Sequence, residues 1–292
     1  MDVSVIIINY NTYKMTNECI DSIVSKTKNI EYEIIVVDNA STDGSKEFFS
    51  NDKRIFYIYN ETNLGFGQAN NLALKMARGR NIFFLNSDTL LINNAIQILS
   101  VYLDTHDNVG ACGGNLYDSS LTPIHSYKRI FPSILNEINE FFSKYPTKLL
   151  YGNNEEYNCT GKPMSVAMIT GADLMVKKIL IDKVGGFNPL FFMYYEDTEL
   201  CYRIKNEGKD IMSVPEAKIY HLEGGSFTKD KRINRLIMSR RSLTLYLEVT
   251  HGKHYAGIVN FIWKMLIDSR VFYYAITNSS KKDFWISVKD KF

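Results

Sequence analysis

The chain has 292 residues, 45% of them hydrophobic and 23% charged, with a formal net charge of +2. That length can bury a large core, as one big domain or one domain with an appendage, and so small a net charge leaves no nucleic-acid footprint. Cys19, Cys112, Cys159 and Cys201 lie far apart without a Cys-x-x-Cys pair, which argues against a structural zinc site and a compact disulfide framework and reads as reduced, mostly buried thiols of a cytosolic protein.

The first element is the apolar, β-branched run Val3–Ile8, a strand buried on both faces and too short for a leader peptide. Met15, Cys19, Ile20, Ile23 and Val24 follow at helical spacing. Glu33–Val37 and Arg54–Tyr59 read as strands with a short helix, Ser41–Ser50, between them. Gly65–Ala77 reads as a helix, Asn81–Leu85 as a strand and Asn93–Asp104 as a helix. Strands alternating with helices predict an α/β fold with a mostly parallel sheet and right-handed crossovers.

Beyond this the pattern changes. Val109–Gly113 and Val166–Gly171 are expected strands, and Asp118–Pro163 is irregular apart from a helix near Ile134–Phe142. Helices are expected from about Asp173 to Val184 and over Glu196–Asn206, then two short strands, Asp210–Val214 and Lys218–His221. Asp230–Thr250 and Ala256–Thr277 read as C-terminal helices, and no run is long and charge-free enough to span a membrane.

Three strands end in polar residues: Tyr10-Asn11, Asp38-Asn39 and Asn86-Ser87-Asp88. At the carboxyl edge of a parallel sheet such tips line a ligand crevice, where Asp38 suits a base N–H and Asp88 a hard cation. The alternative is that Asp38-Asn39 and Ser87-Asp88 cap the following helices. The loop from Asn63 through Gly65 to Asn70 enters a helix with two glycines, but neither a Gly-x-Gly-x-x-Gly fingerprint nor a Walker motif is present. Glu196-Asp197 follows the aromatic run Phe191–Tyr195; its spacing favours an acidic helix N-terminus, and the alternative is a general base. His221 is either structural or a metal ligand with Asp88, its imidazole favouring Mn²⁺ over Mg²⁺. The basic stretch Lys229, Lys231, Arg232, Arg235, Arg240 and Arg241 is either a solvated helix face or a phosphate contact.

In order, the segments VSVIIINYN (3–11), VVDNASTDGS (36–45), NLGFGQAN (63–70), FLNSD (84–88), TGAD (170–173), GGFNPLFFMYYEDTELCYR (185–203) and HLEGGS (221–226) resemble the family 2 glycosyltransferases of the GT-A fold, in their rhamnosyltransferase-like branch. The resemblance covers about Met1 to Ser226. It implies a catalytic domain over 1–226, with a nucleotide-sugar half over about 1–115 and an acceptor half over about 116–226, followed by a helical extension over 227–292. The implied activity is inverting hexosyl transfer from a nucleotide diphosphate sugar, dTDP-rhamnose or a UDP-sugar, to a glycan or lipid-linked acceptor in bacterial surface-polysaccharide synthesis.

By that resemblance Asp197 is the base, supported by Glu196 and Arg203. Tyr10, Asn11, Asp38, Asn63, Gly65, Asn86, Ser87 and Asp88 line the donor site, and Gly171, Ala172 and Asp173 face the acceptor. Asp88 and His221 hold a divalent metal, Mg²⁺ or Mn²⁺, and Arg232 and Arg235 meet phosphate. The first acid of the family's Asp-x-Asp pattern is Asn86 here, a neutral and weaker ligand. That substitution motivates the alternative of a catalytically silent nucleotide-sugar or glycan-binding partner in a polysaccharide assembly. A nucleotidyltransferase is disfavoured, because no glycine-rich basic loop follows the first strand. The C-terminal segments Leu236–Leu247 and Ala256–Ile276 are expected either to lie peripherally on the cytoplasmic face of the membrane or to pack on the core or a second subunit, as in a homodimer.

Overall fold

The computed structural model describes residues 1–142, 145–222, 229–277 and 282–291. In chain order its elements are β1 (Val3–Asn9), α1 (Tyr13–Lys26), β2 (Tyr32–Asn39), α2 (Ser45–Phe49), β3 (Phe56–Asn60), α3 (Phe66–Leu74), β4 (Asn81–Asn86), β5 (Thr89–Leu91), α4 (Ala95–Thr105) and β6 (Val109–Tyr117). There follow β7 (Tyr127–Lys128), α5 (Ile134–Phe141), α6 (Tyr145–Tyr151), β8 (Met164–Val166), β9 (Met168–Ile169), β10 (Asp173–Lys177), α7 (Lys178–Val184), α8 (Glu196–Asn206) and β11 (Asp210–His221). The chain ends in α9 (Lys229–His251), α10 (Lys253–Ile276) and α11 (Lys282–Lys289).

It divides into two compact units. One comprises Met1–Phe131, Tyr151–Phe192 and Glu196–Gly224; the other comprises Pro132–Leu150, Met193–Tyr195 and Gly225–Phe292. The first unit is built on a mixed sheet in the order β3-β2-β1-β4-β10-β6-β11-β5, with β8 added alongside β11. The strands β3, β2, β1 and β4 are mutually parallel, as crossover helices require, and β6 runs parallel to β11. Strand β10 lies antiparallel between β4 and β6.

Each face of the sheet carries its own apolar layer, because alternate side chains of a strand point to opposite faces. Val3, Val5, Ile7, Ile34, Val36, Phe83 and Leu85 pack with α1 and α4 residues such as Ile20, Ile23, Ile96 and Leu99. On the other face Ile6, Ile35, Val37, Ile82 and Phe84 pack with Ala69 and Ala73 of α3 and with Leu200 and Ile204 of α8. In the second unit Ile233, Ile237, Ile267 and Val288 form a smaller core. There Arg240 is buried; it pairs with Glu137, donates to Asn260 Oδ1 at 2.9 Å and stacks over Trp263 at 4.5 Å.

Several elements differ from the sequence expectation. The helix expected from Asp173 is the strand β10 followed by the short α7, because Leu174, Met175 and Val176 are claimed by the gap between β4 and β6. The strand expected over Val166–Gly171 is broken: β8 pairs with β11 and β9 with β7. The two late strands are one, β11, with a register shift against β6 between Ser213 and Lys218, where Pro215 lacks an amide hydrogen. Helix α3 ends at Leu74, short of the expected Ala77.

Glu33 on β2 is buried, accepts from Ser4 Oγ at 2.6 Å and from the Arg78 backbone at 2.8 Å, and takes the Arg78 guanidinium on Oε2. Burial alone would raise its pKa, but these donors together bring it below the usual carboxylate value. Its stabilising contribution is therefore complete above the unfolded-state value of about 4.3 and is lost as pH falls through the lower folded-state value. Arg78→Ala should cost about 1–2 kcal/mol in urea unfolding at pH 7 and much less near pH 3; an equal cost at both pH values would contradict the assignment.

Candidate active site

The parallel register aligns the strand ends: Asn9 of β1 lies beside Asp38 of β2, which lies beside Tyr59 of β3, and Ile8 lies beside Asn86 of β4. These ends are cross-linked by short polar side chains. Asn9 Oδ1 accepts from Thr12 and Thr16, and its amide donates to Ser41 Oγ at 3.0 Å. Thr12 and Ser87 hydroxyls meet at 3.1 Å, joining the loop after β1 to the tip of β4.

Asp38 is fully buried, accepting from the Ser41 backbone at 2.8 Å and the Tyr57 hydroxyl at 2.7 Å. Tyr10 is 49% exposed beside it, and Asn11 has a positive φ of 55° while its side chain accepts from the Thr42 backbone at 2.8 Å. The capping alternative is not what the structure contains. The N-cap of α2 is Gly44 and that of α4 is Asn94, neither with a side-chain capping bond, and Ser87-Asp88 connects two strands.

Asn39, read from the sequence as part of a polar strand tip without a ligand role of its own, organises the next loop. Its amide donates to Asn63 Oδ1 at 2.8 Å and to the Gly65 carbonyl at 3.2 Å, while its oxygen accepts from Asn60 and from the Leu64 backbone. Gly65 has φ +80°, and a Cβ there would stand 2.2 Å from the Phe192 carbonyl. The same carbonyl accepts from the Phe66 backbone at 3.0 Å, so only glycine permits this approach. Its only sequence signal was one more amide in the run Asp38-Asn39-Ala40-Ser41.

The turn before β10 joins the β4 tip to α8. Asn86 N–H donates to the Ala172 carbonyl at 3.1 Å, and Gly171 N–H donates to Asp197 Oδ2 at 2.7 Å. Asp197 also accepts from the Thr198 backbone at 2.6 Å and remains partly accessible, whereas Glu196 is buried. Burial raises the pKa of Asp197 against the pull of these donors, and burial together with the Asp197 charge raises that of Glu196. Tyr194 and Tyr195, immediately before α8, both have positive φ, an unfavourable backbone state for bulky residues.

Arg203 does not reach towards Asp197. Its guanidinium grips Glu199 and the carbonyls of Val184 at 2.6 Å and Gly186 at 2.8 Å, holding the loop that leads out of α7. Arg232 and Arg235 lie on α9 in the second unit, with Arg235 over the Tyr194 ring at 5.9 Å. Of the segment His221–Ser226 only His221 and Leu222 fall within the described residues.

Pairing of β11 with β5 sets His221 opposite Thr89, which brings His221 Nε2 to 3.3 Å from Asp88 Oδ1 and 3.5 Å from the Asn86 amide nitrogen. Among the described residues no three His, Cys, Asp or Glu side chains cluster as a self-sufficient metal site. One carboxylate and one imidazole at this spacing do suit a cation whose remaining ligands come from a bound diphosphate, so the residues fit the metal implied by the resemblance.

An α/β sheet whose strand ends gather amides, a carboxylate–histidine pair and a partly accessible carboxylate at a helix start defines an open α/β fold with its candidate ligand crevice at the carboxyl ends of the strands. Residues 4–169, more than half of the chain, match the family model described as glycosyl transferase family 2, and the chain belongs to that family. It is 28% identical over 225 residues to the low-salt glycan biosynthesis hexosyltransferase Agl10 of Haloferax volcanii, covering 72% of this chain and 64% of that protein. It is 24% identical over 229 residues to the dTDP-rhamnosyl transferase RfbF of Shigella flexneri, covering 76% and 71%.

Among solved structures it resembles GalNAc-T7 with UDP, GalNAc and Mn²⁺ (TM-score 0.60, 16% identity, 89% of this chain and 54% of that one) and TarS of S. aureus (TM-score 0.55, 17% identity, 91% and 43%). These likenesses define the GT-A-like fold, with its mixed, mostly parallel sheet flanked by helices and with C-terminal helices. The chain spans 25%, 64% and 42% of the lengths of three curated relatives it matches.

Asp173, on β10, is fully buried; its Oδ2 accepts from the Gly114 backbone at 2.7 Å and its Oδ1 meets no hydrogen-bond donor among the described residues. Burial pushes its pKa up to about 7. A carboxyl raised in the fold stays neutral there while the unfolded chain ionises, so stability falls from about pH 4 until the folded group itself ionises near 7. Asp173→Asn removes that penalty: the variant's stability relative to the parent should rise by of the order of 4 kcal/mol across this window and then level off. A pH-independent difference in chemical-denaturation measurements would refute this.

Proposed function

We propose that the chain is an inverting glycosyltransferase that moves a hexose, from dTDP-rhamnose or a UDP-sugar, to a glycan or lipid-linked acceptor in bacterial surface-polysaccharide synthesis on the cytoplasmic side of the membrane. The observation that carries this reading is the contact chain from Asp197 through Gly171 and Ala172 to Asn86, and on to the His221–Asp88 pair. It connects a candidate base to a candidate diphosphate site through one turn. The hexosyl and dTDP-rhamnosyl descriptions of two relatives support the donor class.

In this reading the crevice at the strand tips takes the nucleoside, with the exposed Tyr10 at its mouth and the Asn39-braced Asn63–Gly65 loop as its floor. Asp88 and His221 would hold a divalent cation, which supplies Lewis-acid stabilisation of the departing diphosphate. Asp197, fixed by the Gly171 and Thr198 amides, accepts the proton of the acceptor hydroxyl. The acceptor oxygen bonds to the anomeric carbon as the bond from that carbon to the diphosphate breaks. A single displacement of this kind inverts configuration and needs no carboxylate nucleophile. Glu196 is buried beside Asp197, and burial and the Asp197 charge both raise its pKa, which disfavours a second negative charge there.

Asp197→Asn should lower transfer at least about a hundredfold while nucleotide-sugar affinity stays within about threefold; near-parental turnover would remove Asp197 from this role. Because burial raises the Asp197 pKa, the transfer rate should climb with pH through a value above that of an ordinary aspartate. Asp88→Asn and His221→Ala should each raise the Mn²⁺ concentration needed for half-maximal stabilisation of the donor complex in thermal melting by about tenfold or more. Unchanged metal dependence in both would place the cation elsewhere.

A further inference from the structure

Helix α10 has two apolar sides. One packs within the second unit through Ala256, Val259 and Ile267, which are buried. The other is bare: Ile258, Phe261, Met265, Phe272 and Ile276 are 53–69% exposed. Their spacing places them within one narrow stripe, and from Ile258 to Ile276 the stripe runs about 27 Å along the helix. With the neighbouring Tyr273 it leaves of the order of 700 Å² of mainly apolar surface open to solvent, more than the largest patch of a typical monomer. No helix of the described residues is long and apolar enough to cross a membrane.

Charge decides what this stripe meets. The second unit contains 15 Lys and Arg against 7 Asp and Glu, a net charge of +8, while the whole chain carries +2. The remainder of the chain is therefore acidic, and the basic residues concentrate in the unit with the bare stripe. A second copy of a +8 unit would be repelled by it, whereas an anionic surface would be attracted. Near the stripe, Asp268 is itself compensated by Lys289 at 2.7 Å.

We propose that the exposed face of α10 docks the protein on an anionic phospholipid bilayer, with Phe261, Met265 and Phe272 entering the headgroup–acyl boundary and the basic residues of its unit meeting the headgroups. The sequence pattern alone implicated Leu236–Leu247 of α9 as well. The structure instead buries Ile233, Ile237, Leu243, Tyr246 and Leu247 of that helix, so the docking surface narrows to α10. This docking does not depend on the transfer chemistry proposed above, and a lipid-linked acceptor would gain from it by lying in the same surface.

The test is co-sedimentation of the full chain with vesicles of phosphatidylcholine alone and with about one-third phosphatidylglycerol. Binding should appear with the anionic vesicles, weaken at about 0.5 M NaCl, and fall at least tenfold in Phe261→Ser/Phe272→Ser, with Ile276→Asn as a milder second variant. Both variants should keep the parental melting temperature and the parental rate of nucleotide-sugar turnover in solution, which reads the catalytic proposal separately. Absence of binding to anionic vesicles, or parental binding by the double variant, overturns the proposal. A solution dimer that the double substitution dissociates, without vesicle binding, would assign the face to a second copy and overturn it equally.

Discussion

The antiparallel seat of β10 between β4 and β6 is the constraint on which the candidate site depends. It forces a reversal at Thr170–Asp173, immediately at the carboxyl end of β4, and two peptide groups of that reversal are used at once. The Ala172 carbonyl fixes the Asn86 backbone and the Gly171 amide fixes Asp197. Backbone groups make stiff fasteners, because moving them means breaking the ladder of β10 itself. The candidate proton acceptor and the candidate leaving-group site are thus set relative to one another by main-chain hydrogen bonds, which would suit a displacement in which both ends must act together.

The second organising device is the run of amides along the strand ends. Asn9, Asn39, Asn60, Asn63 and Asn86 donate and accept without carrying charge, so they can gather near Asp38 and Asp88, two of them buried, without adding like-charge repulsion. Asn39 alone binds four partners in the Asn60–Gly65 segment. A carboxylate in the place of Asn86, beside Asp88, would strengthen a metal site but would also add a second charge beside the first. In the proposed reading the neutral residue would leave more of a cation's ligation to the substrate.

Much of this was legible from residues. Runs such as Val3–Ile8 and Ile34–Val37 are short, β-branched and almost wholly apolar, as in a strand buried on both faces, and their polar tips located the candidate crevice. The resemblance then selected Asp197 from an acidic pair that spacing could not resolve. What stayed hidden was tertiary. Asp173–Val184 contains both β-branched and helix-favouring apolar residues, and only the vacancy between β4 and β6 makes its first five residues a strand. Arg203 was placed with the catalytic group from its position in sequence, but nothing local could reveal that three carbonyls around Gly185 would engage its guanidinium. The stripe on α10 is invisible to a simple polarity pattern for the opposite reason: both faces of that helix are apolar, so the exposed one becomes apparent only after the buried one is assigned.

The cysteines carry a consequence of another kind. Cys19, Cys112 and Cys201 are buried, and burial lifts the thiols of Cys19 and Cys201 to about 12 and that of Cys112 well above its ordinary value, so they remain protonated and shielded from electrophiles. Cys159 is exposed, in the segment between α6 and β8, within the half that the family resemblance implies for the acceptor. Without any engineering the native chain thus offers a single address for a maleimide dye, from which the arrival of an acceptor could be watched as a change in fluorescence.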